Sequence, residues 1–199
     1  MKNATIMKEM NQMLVDSSMD DEAFFHFASQ LDDFRVERDR NGNILLMPPV
    51  GMESGEMELN AAYFIKKWVL EEGGGHAYGS NTGFTLPNSA VRSPDAAWIN
   101  AGRYNALPEN EKRRFGHICP DFVIEIRSAS DSLPPLMEKM EEYMACGARL
   151  GFLIDPANEK AYTYKPASPV RETGDFTQKL SGEDVMPGFE LPLSFFRPV

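Results

Sequence analysis

The chain has few of the residues that cross-link small secreted domains or bind zinc. Its 199 residues include two cysteines and three histidines. Cys119 and Cys146 cannot form a disulfide framework, and their spacing is not that of a zinc site. No apolar run approaches the length of a membrane span, and residues 1–16 contain no contiguous apolar segment of a secretory signal. These absences lead us to expect a cytoplasmic protein that has no membrane partner.

Sequence motifs of two large enzyme classes are also missing. The run Gly73-Gly74-Gly75 follows a predicted helix, whereas a phosphate-binding loop follows a strand and precedes a helix. The chain contains no Gly-x-Ser-x-Gly motif, which marks the nucleophile of α/β-hydrolases. The sequence therefore favours neither a P-loop nucleotide hydrolase nor a serine hydrolase.

Positive charge is in short supply over the chain as a whole. The chain contains thirty acidic and twenty basic side chains, which gives a formal net charge of −10. Such a balance disfavours a nucleic-acid partner, because the phosphate backbone repels an acidic surface. Residues 61–127 are the least acidic part, with eight basic and seven acidic side chains. Any binding to DNA is expected to be weak and sensitive to salt.

The periodicity of apolar residues predicts an α/β domain. The pair Asn41-Gly42 indicates a β-hairpin turn, and the apolar spacing over 53–70 is that of a helix. We expect residues 1–19 to form an N-terminal extension and residues 20–199 to form one domain. The further predicted elements are a helix near 23–28, strands over 34–39, 43–47, 76–79, 83–86, 92–99, 120–128, 149–155 and 160–165, and a helix from 132 to 146.

The strand over 120–128 contains an unusual glutamate. Phe122, Ile124 and Ile126 lie on one face of this apolar strand, so Glu125 lies on the other, beside Arg127. Burying a carboxylate is costly unless a cation or a hydrogen-bond donor meets it. This face of the strand is therefore expected to form a functional site.

A second acid, Asp95, follows a proline at the start of another predicted strand. If the two strands are neighbours, Asp95 and Glu125 converge at one end of the sheet, where carboxylate oxygens suit Mg²⁺ or Mn²⁺. Lys139 borders the apolar stripe of the following helix and is able to extend towards Glu125. A lysine there would orient a water molecule, whereas Arg127 suits contact with phosphate.

Several runs of residues resemble the Uma-two family of restriction-endonuclease-like proteins, over roughly residues 20–196. The order Pro94-Asp95 and then Glu125-Ile126-Arg127 is similar to the PD-(D/E)-x-K nuclease pattern, with arginine in place of lysine. The family-specific runs are 92–95, 118–125, 139–143 and 181–189. The resemblance implies a restriction-endonuclease-like fold, a mixed β-sheet flanked by α-helices with an N-terminal helix and a β-hairpin.

The resemblance also implies a function and a set of site residues. It indicates a Mg²⁺- or Mn²⁺-dependent endonuclease that cleaves DNA, with double-stranded DNA as partner and a homodimer as assembly. Asp95 and Glu125 match the metal-ligand acids, with the carbonyl group of Ile126 as a further ligand. Lys139 matches the family's lysine, which stands on the helix and not on the strand. Glu53 matches an extra acid at the start of the first long helix.

Structural roles remain open for each of these residues. Glu125 would be buried as the ion-pair partner of Lys139 or Arg127, and Asp95 would be a turn residue after a proline. Lys139 would be an ordinary surface lysine, and Glu53 a favourable acid in a first helical turn. The corresponding alternative function is a decayed nuclease domain that binds nucleic acid or protein, or that dimerises. The sequence does not decide between DNA and RNA as substrate.

Overall fold

The computed structural model describes residues 19–31, 33–72 and 74–198, so most of the predicted N-terminal extension lies outside the described residues. The helices are α1 (Asp21–Ala28), α2 (Met52–Glu72), α3 (Ala101–Asn105) and α4 (Leu133–Ala145). The strands are β1 (Arg35–Arg38), β2 (Ile44–Met47), β3 (His76–Gly79), β4 (Phe84–Thr85), β5 (Val91–Arg92), β6 (Ala96–Ile99), β7 (Phe122–Ile126), β8 (Leu150–Asp155), β9 (Lys160–Tyr164), β10 (Arg171–Thr173), β11 (Lys179–Ser181) and β12 (Glu190–Pro192).

A six-stranded mixed sheet forms the centre of the molecule, in the order β10-β9-β8-β7-β6-β3. Strands β7 and β8 are parallel, and every other pairing in this sheet is antiparallel. Helix α4 connects the parallel pair, as a crossover between parallel strands requires. A second sheet, in the order β2-β1-β5-β4, contains the predicted hairpin. The predicted α/β fold class is confirmed.

Two helices cover opposite faces of the central sheet. Helix α2 buries Met57, Ala61, Ile65 and Trp68 in a cluster that also contains Phe122, Ile124 and Ile126 of β7. Helix α4 buries Met140 and Tyr143 in a separate cluster with Val123. The alternation along β7 therefore directs Glu125 to the side of α4. Within the described ranges, no helix combines the length and apolarity that a membrane crossing would need.

The structure corrects the single strand predicted over residues 92–99. Val91–Arg92 belongs to the hairpin sheet as β5, and Ala96–Ile99 belongs to the central sheet as β6. Ser93-Pro94-Asp95 connects them without pairing, since proline cannot donate to a strand ladder. This step from one sheet to the other places Asp95 where the two sheets meet. The turn-rich tail also forms a small hairpin, β11 with β12, that the sequence did not reveal.

Helix α1 is attached to the domain through charged contacts. Asp20 caps its first turn by accepting from the backbone N–H of Ala23, and Asp21 pairs with Arg38 of β1. His117 connects two segments, since its Nε2 lies 2.8 Å from Asp21 Oδ2 and its Nδ1 lies 2.7 Å from Glu111 Oε2. Hydrogen bonds to Glu111 and Asp21 raise the pKa of His117 above its usual 6.5.

Replacing His117 with Asn is expected to destabilise the protein only at mildly acidic pH. The folded state raises this pKa, so the stabilising contribution is complete below the unfolded pKa of 6.5 and is lost as the pH rises through the folded value. Because the side chain is about half exposed, we expect at most about 1 kcal/mol. Urea unfolding of both proteins at pH 5.5 and pH 9 checks this, and a difference that grows with pH would contradict it.

Candidate active site

The pairing of β6 with β7 brings Asp95 and Glu125 together. Ala96 pairs with Ile124 in this antiparallel ladder, so the residue before Ala96 lies opposite the residue after Ile124. The backbone N–H of Ile126 donates to Asp95 Oδ2 at 2.8 Å. Both acidic residues are buried, with exposed fractions of 4% and 3%. The two carboxylates thus lie side by side at one end of the neighbouring strands β6 and β7, as the sequence predicted.

Helix α4 supplies the cation that meets Glu125. Lys139 Nζ lies 2.8 Å from Glu125 Oε1, and its side chain is 12% exposed. Tyr143, one helical turn later, donates its hydroxyl to the same oxygen at 3.0 Å. Lys139 therefore occupies the position that the sequence predicted for it, beside Glu125 and away from the bulk solvent.

Burial and pairing change the proton affinities of this pair. Burial, together with the nearby charges of Asp95 and Glu37, outweighs the effect of Lys139 and raises the pKa of Glu125 to about 7. Burial disfavours the charged form of Lys139, but the carboxylates of Glu125 and Glu37 outweigh it and raise the pKa of Lys139. At neutral pH the lysine is therefore charged, and Glu125 holds a proton more tightly than an exposed glutamate does.

A third acid, Glu37 of β1, belongs to the same network although the sequence analysis missed it. Its side chain is 3% exposed, and its Oε1 lies 2.9 Å from Lys139 Nζ. It accepts from the backbone N–H of Ser93 at 2.9 Å, and its Oε2 lies 3.1 Å from Arg92 NH1. Burial opposes ionisation, but Lys139, Ser93 and Arg92 together lower the pKa of Glu37. This residue is therefore an ionised partner that holds the ammonium group of Lys139 together with Glu125.

Arg92 extends the network towards the surface of α4. Its Nε donates to Glu142 Oε2 at 2.7 Å, and Asn88 donates to the other oxygen of Glu142 at 2.8 Å. These contacts fix Arg92 against Glu37, which in turn fixes the lysine. The hairpin sheet and α4 are thus joined by a continuous series of charged hydrogen bonds behind the two carboxylates.

A cavity of about 430 Å³ opens in front of these residues. Asp95, Glu125 and Lys139 form its floor, and Arg35 NH1 lies 2.8 Å from Asp95 Oδ1 at its side. Glu58 of α2 also lines it, and burial raises the pKa of that carboxyl. The remaining walls come from the segment after β2, the start of α2, and the loop before α4. The cavity lining combines four acids, Asp131 being the fourth, with two cations.

Two residues predicted for the site do not line this cavity. Glu53 lies exposed in the first turn of α2, whereas Glu58, five residues later, lines the cavity. Arg127 lies just beyond β7, where its NH1 contacts Asp155 Oδ2 at 2.8 Å and its Nε donates to the carbonyl of Asp131 at 3.0 Å. Arg127 thereby braces a loop that lines the cavity, and Arg35 is the arginine that reaches the cavity itself.

The donors at the cavity fit a hard divalent cation. Asp95 and Glu125 provide carboxylate oxygens, and Ile126 also lines the cavity, so its carbonyl is at hand. Among the described residues, no group of three or more His, Cys, Asp or Glu side chains is arranged to hold a metal. Mg²⁺ needs only one or two carboxylates when water and substrate phosphate complete its coordination. The donor set therefore suits Mg²⁺ or Mn²⁺ and not a structural zinc site.

The chain resembles known proteins in sequence and in fold. A sequence model of the Uma2 family, described as "putative restriction endonuclease", matches residues 21–194. Among solved structures, a crystal structure described as a "putative nuclease belonging to DUF820" from Anabaena variabilis is similar. The two chains are 18% identical, with 81% of this chain and 88% of the other covered, at a TM-score of 0.68. At that identity the likeness supports the fold alone. No curated protein matches the chain.

Proposed function

Since the chain belongs to the Uma2 family of restriction-endonuclease-like proteins, we propose that it is a divalent-metal-dependent endonuclease that hydrolyses phosphodiester bonds of DNA. The convergence of Asp95, Glu125 and Lys139 at one cavity is the observation that carries this proposal. Two carboxylates and a lysine at one end of the strands of a mixed sheet suit phosphodiester hydrolysis, because this chemistry needs a metal site and a cation near the attacking water.

Six residues at or beside the cavity have roles in the proposed reaction. Asp95, Glu125 and the carbonyl of Ile126 would hold Mg²⁺ or Mn²⁺, which when bound would lower the pKa of a water molecule and offset the charge of the phosphodiester. Lys139 orients the attacking water and stabilises the negative charge that develops on the phosphate. Arg35 contacts a non-bridging phosphate oxygen, the role that the sequence assigned to Arg127. Glu37 keeps Lys139 in place.

The proposed substrate is double-stranded DNA, and the proposed assembly is a homodimer. One active site cleaves one strand of a DNA duplex, so cleavage of both strands by one assembly requires two copies of the protein. The net charge of −10 makes binding dependent on local cations such as Arg35 and on the bound metal. We therefore expect the affinity for DNA to fall steeply as the salt concentration rises.

Nicking of supercoiled plasmid DNA tests the proposed function. The wild-type protein is expected to nick DNA with Mn²⁺ or Mg²⁺ and to be inactive with EDTA, and Glu125→Ala is expected to lose the activity. The matched control is Glu138→Ala, which removes a carboxylate from the same region at a position outside the cavity lining. Equal activity of wild type and Glu125→Ala would refute the proposal, as would activity that survives EDTA.

Replacing Arg35 with Met is expected to raise the affinity for Mn²⁺ while lowering the rate of nicking. The guanidinium lies 2.8 Å from Asp95 Oδ1, so it repels a cation that binds the same carboxylate. Its removal should tighten Mn²⁺ binding by about tenfold, and loss of a phosphate contact should slow cleavage by about 10²-fold. Calorimetry and plasmid nicking measure the two effects. Weaker Mn²⁺ binding in Arg35→Met would show that Arg35 only positions Asp95.

A decayed site that serves only for binding is the second candidate function. It is favoured by one specific observation, namely that Asp95 and Glu125 are each already paired with a cation, Arg35 and Lys139 respectively. Such pairs satisfy buried acids without any metal. Calorimetry with Mn²⁺ separates the two candidates. Binding that Asp95→Asn abolishes favours the nuclease, whereas no heat of binding in wild type favours the decayed site.

A further inference from the structure

Helix α2 carries a second apolar stripe that no other described part of the chain covers. Met52, Leu59, Tyr63 and Leu70 have exposed fractions of 95%, 68%, 55% and 72%. The buried residues of the same helix are Met57, Ala61, Ile65 and Trp68. A helix on the surface of a monomer normally has one apolar face and one polar face. Helix α2 instead has two apolar faces, one towards the core and one towards solvent.

The exposed stripe has the spacing of a helix-packing seam. Met52, Leu59, Tyr63 and Leu70, together with the exposed Glu56 and Lys66, alternate steps of four and three residues along the helix. At 3.6 residues per turn, all six positions lie within about 40° of one line along the helix surface. The centre of the buried set lies about 180° away. The seam therefore lies on the side of α2 that faces away from the core, where a second helix can approach it.

The seam is complementary to the same seam of a second copy when the two helices run antiparallel. An antiparallel pair that is symmetric about position 61 places Met52 against Leu70 and Leu59 against Tyr63 of the other copy. The same register places Glu56 against Lys66 of the other copy, and the two-fold axis repeats every contact. Apolar residues thus meet apolar residues, and each acid meets a base. No charged residue of the seam meets its own kind.

We propose that α2 forms the dimer interface of this protein, packed antiparallel against α2 of a second copy in the register centred on residue 61. The inference rests on the exposed seam and is independent of the nuclease activity. The cavity lies on the other side of the helix, where Ser54 and Glu58 line it, so both cavities stay open in the dimer. Phe195, which packs on Phe64 at 5.1 Å and is 53% exposed, extends the apolar surface at one edge.

Other occupants of the seam fit it less well. A membrane surface attracts helices rich in Lys and Arg, whereas α2 has seven charged residues, five glutamates and two lysines, within a chain of net charge −10. DNA fits the seam poorly, because the apolar side chains and the glutamates of α2 offer little contact to phosphate. A second copy is the occupant that offers a base for Glu56 and an acid for Lys66.

The length of the helix sets the strength of the proposed dimer. The 21 residues of α2 span about 32 Å, so the pair forms an interface at the small end of specific interfaces. We expect a dissociation constant on the order of 10 µM and a rapid exchange between monomer and dimer. Sedimentation equilibrium of the full chain between 1 and 200 µM should therefore show a concentration-dependent mass.

Charge reversal tests both the surface and the register. Glu56→Lys and Lys66→Glu should each weaken the dimer by at least about tenfold, because each places like charges opposite each other twice. The double variant Glu56→Lys/Lys66→Glu should restore it. An equimolar mixture of the two single variants should form a heterodimer, in which every charge again meets its opposite. Glu72→Lys makes the same charge change on this helix outside the seam and should leave the dimer unchanged.

Three results would overturn the proposal. These are a monomeric wild type at 200 µM, a dimer that survives Glu56→Lys unchanged, and single variants that do not associate when mixed. All the substituted residues are exposed, so circular dichroism is expected to show unchanged folds.

Discussion

Replacing Lys139 with Met should abolish plasmid nicking and lower the free energy of unfolding by about 3–5 kcal/mol at pH 8. The ammonium group lies within 3 Å of both Glu37 and Glu125, in a place where its side chain is only 12% exposed. Methionine fills a similar volume but leaves two carboxylates without their shared cation. Nicking should fall by about 10²–10³-fold, the size associated with the loss of one preorganised charged group.

The loss of stability should depend on pH in a definite direction. The pKa of Glu125 is about 7 in the folded protein, above its usual 4.5, and removal of Lys139 raises it further. A group of this kind contributes stability that is complete below the unfolded pKa and is lost as the pH rises through the folded value. The Lys139→Met variant should therefore be closest to wild type near pH 5 and furthest from it at pH 8. Urea unfolding at both pH values measures this.

The surface lysine Lys67 provides the control for this experiment. Lys67→Met removes a lysine that is about half exposed and forms only a 3.8 Å contact with Glu71 in the same helix. It should change stability by no more than about 0.5 kcal/mol and leave nicking intact. If Lys139→Met and Lys67→Met were equally stable and equally active, Lys139 would have no part in either the fold or the reaction.

The sequence predicted the centre of the site because two local rules applied there. Burying a glutamate in an apolar strand costs free energy unless a cation or a hydrogen-bond donor meets it. The alternation of side chains also determined the face of the strand on which Glu125 lies. Asp95 after a proline marked the start of a strand, and the antiparallel pairing of β6 with β7 placed it beside Glu125. Lys139 lies beside the apolar stripe of α4, a place that allowed either a surface role or a site role, and the resemblance to the family favoured the site role.

The sequence did not reveal the positions of Glu37, Glu53 and Arg127 in the structure, because these positions depend on how separate elements pack together. Glu37 looks like an ordinary polar residue in a short strand, and only the packing of the hairpin against α4 buries it. Arg127 shares the face of Glu125 as predicted, yet the neighbouring parallel strand offers Asp155 as its partner. In α2, Glu53 and Glu58 are both acids near the helix start, and the direction in which each one points follows from the docking of the whole helix. Sequence periodicity carries no information on these contacts.

Replacing Glu37 with Ala should destabilise the fold by about 3–5 kcal/mol, because it removes the acid that meets both Lys139 and Arg92. Glu37→Gln should cost less, about 1–2 kcal/mol, since the amide oxygen still accepts from the backbone N–H of Ser93. In the background of Lys139→Met, Glu37→Gln should restore about 1–3 kcal/mol, because it removes the charge of one of the two acids that have lost their shared lysine. Urea unfolding of the single and double variants measures this coupling.

The activity of Glu37→Gln distinguishes a positioning residue from a metal ligand. A residue that only holds Lys139 should affect the turnover rate, and we expect a fall of about 10–100-fold in kcat with little change in KM. Its Mn²⁺ affinity should change by less than about tenfold, whereas Asp95→Asn should lose more than about 10²-fold. A loss of Mn²⁺ affinity in Glu37→Gln as large as that in Asp95→Asn would place Glu37 among the metal ligands. The reaction would then be organised around three acids and not two.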